Sequence, residues 1–162
     1  MKYFSWIIAL IMLGCAKPPQ QGNPKFVGPV TAMLSRDLQS VVVSGKEAGM
    51  GNNQNIDIEA SADGVATYVC VNKSGNCPNA ANKITVPASV VASGTFTSDN
   101  NGQITFVLTL TPPDAGAFAC PGGQEMKLAE VSYSKIQVVD LTNSISVEAT
   151  PSELSSTLFT CP

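Results

Sequence analysis

Apolar and polar residues alternate in short runs along this chain. The clearest are Ile56-Asp57-Ile58-Glu59 and Ile104-Thr105-Phe106-Val107-Leu108-Thr109-Leu110. A repeat of two sends one side of a strand to a core and the other to water. Similar runs of β-branched and aromatic residues, parted by Gly, Asn, Pro and Ser clusters, predict strands at 30–34, 40–44, 56–62, 65–72, 83–86, 90–97, 103–110, 126–133, 135–140 and 144–149, with a last short run at 157–160. No window of about eleven residues keeps a helical period. Thr150-Pro151-Ser152-Glu153 has the form of a helix start, but the Leu154-Ser155-Ser156-Thr157 that follows is a poor helix former, so at most one helical turn is expected there. Ser98-Asp99-Asn100-Asn101-Gly102, Asp63-Gly64 and Thr142-Asn143 read as hairpin turns. Together these runs predict an all-β fold: a single antiparallel β-sandwich, immunoglobulin-like or a related Greek key, of about 8–10 short strands.

The N-terminus breaks this pattern. Met1 and Lys2 lead into an apolar run of roughly ten residues, the length of an export signal and about half of what a helix needs to cross a bilayer. The run ends in Met12-Leu13-Gly14-Cys15. In this segment the chain resembles bacterial lipoprotein precursors, whose lipobox places a small residue directly before a cysteine. The resemblance implies cleavage before Cys15, diacylglyceryl transfer to its thiol and acylation of the new amine. It also implies the bacterial outer membrane, because Ala16 stands where an Asp would signal inner-membrane retention. The next residues, Ala16 to Lys25, hold three prolines and almost nothing apolar, which suits an extended, solvated tether. The expected organisation is a signal peptide at 1–14, a lipidated cysteine with a Pro-rich tether at 15–25, and a β-sandwich at 26–162.

Composition narrows the chemistry. The 162 residues include no histidine, and only 13% are charged. Ser-His and Cys-His nucleophiles, imidazole bases and His-based zinc sites are thereby excluded. Removing Lys2 with the signal leaves eight basic and twelve acidic residues, a formal charge of −4 that argues against nucleic acid as a partner. Beyond Cys15 four cysteines remain, Cys70, Cys77, Cys120 and Cys161. An even number in an exported domain implies two disulfides, and four cysteines allow three connectivities. One clips Cys70 to Cys77 and Cys120 to Cys161; another joins Cys70 to Cys120 and Cys77 to Cys161. No Cys-x2-Cys pair favours zinc, and no metal or other cofactor is expected. The Cys70-Val71-Asn72-Lys73-Ser74-Gly75-Asn76 segment, with a later cysteine directly before Pro121-Gly122-Gly123-Gln124, resembles uncharacterised bacterial secreted β-domains. That resemblance implies the pairs Cys70–Cys120 and Cys77–Cys161, and it carries no activity.

Few residues offer catalysis, and no catalytic residue is assigned. Ser132-Tyr133-Ser134-Lys135 matches the Ser-x-x-Lys string of penicillin-recognising enzymes, but positions three apart on a strand face opposite ways. Asp57 and Glu59 share one strand face and could serve a lipid-anchored, carboxylate-dependent hydrolase, but the usual reading of such a pair is the solvated face of a half-buried strand. Asp99-Asn100-Asn101-Gly102 has some flavour of a calcium loop, and a turn accounts for all four residues. The glycine-rich stretch Gly45 to Asn55 reads as a long loop, with Lys46, Glu47, Met50, Asn52 and Asn53 as candidate binding residues and Met50 exposed. The expected function is non-enzymatic: a lipid-anchored envelope lipoprotein acting in binding or envelope structure, with an unknown protein or glycan partner. A subunit of a larger envelope assembly is the remaining reading, and it predicts an exposed apolar patch or a bare strand edge.

Overall fold

A computed structural model describes residues 22–77 and 82–161. The signal segment, Cys15 and the tether up to residue 21 lie outside the described residues. What is described is all-β, nine strands in two antiparallel sheets packed face to face. The first sheet is built on β3 (Val41–Ala48). One edge of β3 pairs in succession with β1 (Lys25–Phe26) and β2 (Thr31–Leu34), and its whole other edge pairs with β6 (Gln103–Leu110). Lys25, placed at the end of the tether by sequence, is thus the first strand residue.

The second sheet is built on two long strands, β4 (Asn55–Asn72) and β7 (Gln124–Asp140). β5 (Lys83–Thr97) covers the outer edge of β4, while β8 (Ile145–Glu148) and β9 (Leu154–Thr157) lie one after the other along the outer edge of β7. Thr150 N–H donates to the Val30 carbonyl at 2.8 Å and Ala32 N–H donates to the Thr150 carbonyl at 3.2 Å. These two bonds stitch the sheets together along one side.

Three strands are far longer than the short runs expected from sequence. The pairs 56–62 with 65–72, 83–86 with 90–97, and 126–133 with 135–140 each fuse into one strand of 18, 15 and 17 residues. Asp63-Gly64 is therefore not a hairpin turn. It sits beside a bulge, where the register between β4 and β7 shifts between Ser61 and Asp63, and Lys135 opposite takes a left-handed φ of 53°. A bulge adds twist without ending a strand, so residues that resemble turn signals survive inside a continuous ladder. Pro87 is tolerated within β5 because β5 is an edge strand whose paired side is β4 alone. The helical turn expected at 150–153 is replaced by a bend leading into β9, which begins earlier than the run expected at 157–160 and pairs with β7 from Leu154 to Thr157. Strand pairing supplies these backbone groups with partners that a Ser-rich helix would not outbid.

The main core follows the alternation read from sequence. Ile56, Ile58, Ala60 and Ala62 from β4 meet Ile104, Phe106, Leu108 and Leu110 from β6, with Val41 and Val43 from β3 and Tyr133, Ile136 and Val138 from β7. Phe106 is wholly buried, with the Phe26 ring edge-on at 6.3 Å and the Phe96 ring at 6.1 Å. Gly45 makes room for it: a Cβ there would lie 2.6 Å from Phe106 Cζ and 2.9 Å from Val30 Cγ2.

Beyond its second register shift, at Thr67 and Tyr68, the β4–β7 ladder outruns the first sheet as an arm. Val69, Cys70 and Val71 are all buried although a strand sends neighbours to opposite faces, so both faces of the arm are covered. The segment after β6 covers one: Tyr68 Oη–H donates to the Pro113 carbonyl at 2.7 Å, and Cys120 is disulfide-bonded to Cys70. The chain after β9 covers the other: Leu158 and Phe159 N–H donate to the Ala129 carbonyl, Phe159 packs on Val69, Val71 and Ala129, and Cys161 is bonded to Cys77. Both disulfides match the pairing implied by the secreted-domain resemblance.

Candidate functional site: a closed carboxyl pair between the sheets

The stretch read as a long binding loop divides into two parts. Gly45 to Ala48 belong to β3, and only Gly49 to Gln54 connect strands. Lys46 is exposed on the strand. Met50, expected at the surface, is 5% exposed and belongs to the main core. The turn is locked rather than free. Met50 N–H donates to the Gly102 carbonyl, and buried Ser98 donates through Oγ to the Gly51 carbonyl and accepts from Gln54 N–H at 2.8 Å. Of the five candidates, Lys46, Asn52 and Asn53 keep the exposure expected of a contact surface.

Glu47 is the main correction. It is 0% exposed, on the inward side of β3 in step with Val41, Val43 and Gly45. Its backbone is held by Phe26 of β1 on one side and Ile104 of β6 on the other. No donor reaches either of its carboxyl oxygens. The group whose charge acts on it is the carboxyl of Asp140, also 0% exposed, at the end of β7 in the opposite sheet. Burial, then the bond to Asp140 and its charge, push the Glu47 carboxyl up to about 8.

Asp140 is organised by the turn that follows it. Its Oδ1 accepts from Thr142 N–H at 2.7 Å and Asn143 N–H at 2.9 Å, and its Oδ2 accepts from Asn143 Nδ2 at 2.5 Å. Three donors aimed at one carboxyl make Asp140 the acceptor of the pair, which leaves Glu47 to supply the proton. Sequence reasoning missed Asp140, placing it as a strand end. Two signals were available: the even spacing of Glu47 from Val41 and Val43, and an Asp two residues before the Thr142-Asn143 turn, where Asx side chains bond the backbone.

The remaining candidates lie elsewhere and do not converge. Asp57 is exposed on the outer face of β4, where its Oδ1 accepts from Thr95 Oγ1 at 2.6 Å. Glu59 is half-buried two residues on, on the same face. Lys135 Nζ lies 2.8 Å from Asp63 Oδ2, and this bond and charge raise its pKa, so it is a poor base for Ser132. Asp99 closes a turn, its Oδ1 accepting from Asn101 and Gln103 N–H. Shallow cavities are lined by Val65, Thr67, Ser132 and Ser155, and by Val27, Thr31 and Thr105, with neither Asp57 nor Glu59 among them. Among the described residues, no three His, Cys, Asp or Glu side chains gather where a metal ion could sit. Among them, too, the outer edge of β5 pairs with no other strand, the bare edge that an assembly subunit would show.

No protein-family model and no curated protein matches the chain. Among solved structures it is similar to the crystal structure of Spo0M, a sporulation control protein from Bacillus subtilis, at 13% identity and a TM-score of 0.25. The alignment covers 88% of this chain and 49% of that one, so the chain spans about half the length of that neighbour.

Proposed function

We propose that the chain is a non-enzymatic, lipid-anchored lipoprotein of the bacterial outer membrane, which holds a disulfide-tied β-sandwich on a Pro-rich tether for binding or envelope structure. The observation that carries this reading is the cysteine pairing. Cys70, Cys77, Cys120 and Cys161 are matched among themselves, so Cys15, at the end of the apolar N-terminal run, is the odd one of five. A lipid thioether uses that thiol. Two disulfides also fit an oxidising compartment outside the cytoplasm. Two or three acyl chains, at about 0.8 kcal/mol per buried CH2, hold a domain of this size stably on a bilayer.

The position of the acids favours this reading over a carboxylate-dependent hydrolase. Asp57 and Glu59 stand on an outward strand face and Asp57 is engaged by Thr95, so the pair frames no substrate. Changing Cys15 to Ser tests the anchor. The expected outcome is loss of the protein from the membrane fraction and loss of the diacylglyceryl mass; unchanged fractionation and mass would show the anchor to be wrong. Crosslinking in intact cells, followed by capture, then identifies the protein or glycan that the sandwich meets.

A further inference from the structure

Glu47 and Asp140 come from opposite sheets, both are fully buried, no donor reaches the Glu47 carboxyl, and the Asp140 charge acts on it. Two ionised carboxylates cannot share such a site, so one positive charge has to stand between them. Among the described residues no side chain supplies it. Lys46 on β3 and Lys25 on β1 are exposed, β6 carries no charged residue, and Asp57 on β4 and Glu148 on β8 are acids that face solvent. The β7–β8 turn, Leu141 to Ser144, has no charge of its own. A metal ion is a poorer fit than a proton, because the three donors of the turn already surround Asp140 and no third acid joins the pair.

We propose that Glu47 and Asp140 form a proton-held clasp between the two sheets, closed at neutral pH and released by alkali. It fastens the end of β3 that carries β1, the strand into which the tether runs. Loss of the proton leaves two like charges in a closed interior, and relief requires the sheets to part there or water to enter. The root of the tether is the part of the domain that loosens.

The direction of the pH effect follows from linkage. In the unfolded chain Glu47 ionises at its ordinary 4.5, whereas in the folded protein it keeps its proton up to about 8. The stabilisation is complete below 4.5, declines as pH rises, and is gone once pH passes 8. This runs opposite to an ordinary salt-bridged acid, which weakens a fold as pH falls.

Thermal unfolding of the full chain between pH 5 and pH 9 tests the clasp, with Glu47→Gln as the comparison. Gln has the same shape, still donates to Asp140 and cannot ionise. The expected result is a fall of about 10 °C in the wild-type midpoint across this range and a nearly flat profile for the variant. Parallel profiles would overturn the proposal. So would a wild-type midpoint that calcium restores at pH 9 and a chelator lowers at pH 6, since a cation would then hold the pair. Should the variant not fold, carbon-13 titration of the wild-type side-chain carboxyls decides the matter. A Glu47 signal moving near pH 8 supports the clasp, and one moving near 4.5 refutes it.

Discussion

In the body of the sandwich, Ile56, Ile58, Phe106, Tyr133 and Ile136 are buried between two sheets with no covalent link. In the arm, the apolar cluster shrinks to Val69, Val71 and Ala129 with Phe159 and Cys77 against it, and both disulfides are found here. The two regions share the same strands, β4 and β7, so the difference is not one of strand quality. It lies in what covers them. Each sheet of the body has one inner face, and another sheet meets it with side chains every second residue. The arm has two faces to cover and only irregular segments to do so, which bury little apolar area and have few backbone bonds to hold them. A disulfide removes disorder from the unfolded chain whatever lies beneath it, and it serves where burial is thin.

The comparison is broken most severely through the body. Phe106→Ala should cost roughly 3–5 kcal/mol, because the space left between Phe26, Phe96 and the bare backbone of Gly45 has no side chain able to fill it. Denaturant unfolding followed by fluorescence and by circular dichroism should show one coincident transition, shifted as a whole. Cutting the arm loose comes next. Replacing Cys70 and Cys120 together by Ala should cost about 2–4 kcal/mol by the cross-link model. The loss should centre on the arm: amide exchange should quicken more in residues 111–123 than at Ile58, Phe106 and Val138. Equal quickening in both regions would mean that body and arm unfold as one unit.

The smallest effects sharpen the comparison. Two tyrosines of the long sheet each donate to a backbone carbonyl, Tyr133 to Gln39 in the body and Tyr68 to Pro113 over the arm, both at 2.7 Å. Tyr133 is 1% exposed and Tyr68 only half-buried. Tyr133→Phe should therefore cost about 1 kcal/mol or somewhat more, and Tyr68→Phe less, since water can take over the Pro113 carbonyl. Paired denaturant melts measure both.

What sequence made legible follows the same division. The body was readable because β6 and the first half of β4 alternate strictly, and Ile104, Phe106, Leu108 and Leu110 all turn inward as their spacing requires. The full length of β4 and β7, and so the arm they form, was not, because Asp63-Gly64 carries turn chemistry that a bulge uses without stopping the strand. Glu47 was hidden by its neighbours. Three glycines and four amides between Gly45 and Asn55 suggest a loop, yet Gly45 is there for the Phe106 ring and Glu47 keeps the parity of β3. A buried acid also contradicts composition rules, which place charge outside, so only the strand register exposes it.

Pro87 has a consequence at the free edge of β5. An outer strand of 15 residues offers a row of open donors and acceptors on which another extended chain could crystallise, copy upon copy. Proline has no N–H to offer, and its ring stands in the way of a neighbour. A visiting strand can dock on 83–86 or on 88–97, but it cannot run through. The molecule thus carries a length limit on whatever it zips to, written in one residue a third of the way along the exposed seam of β5.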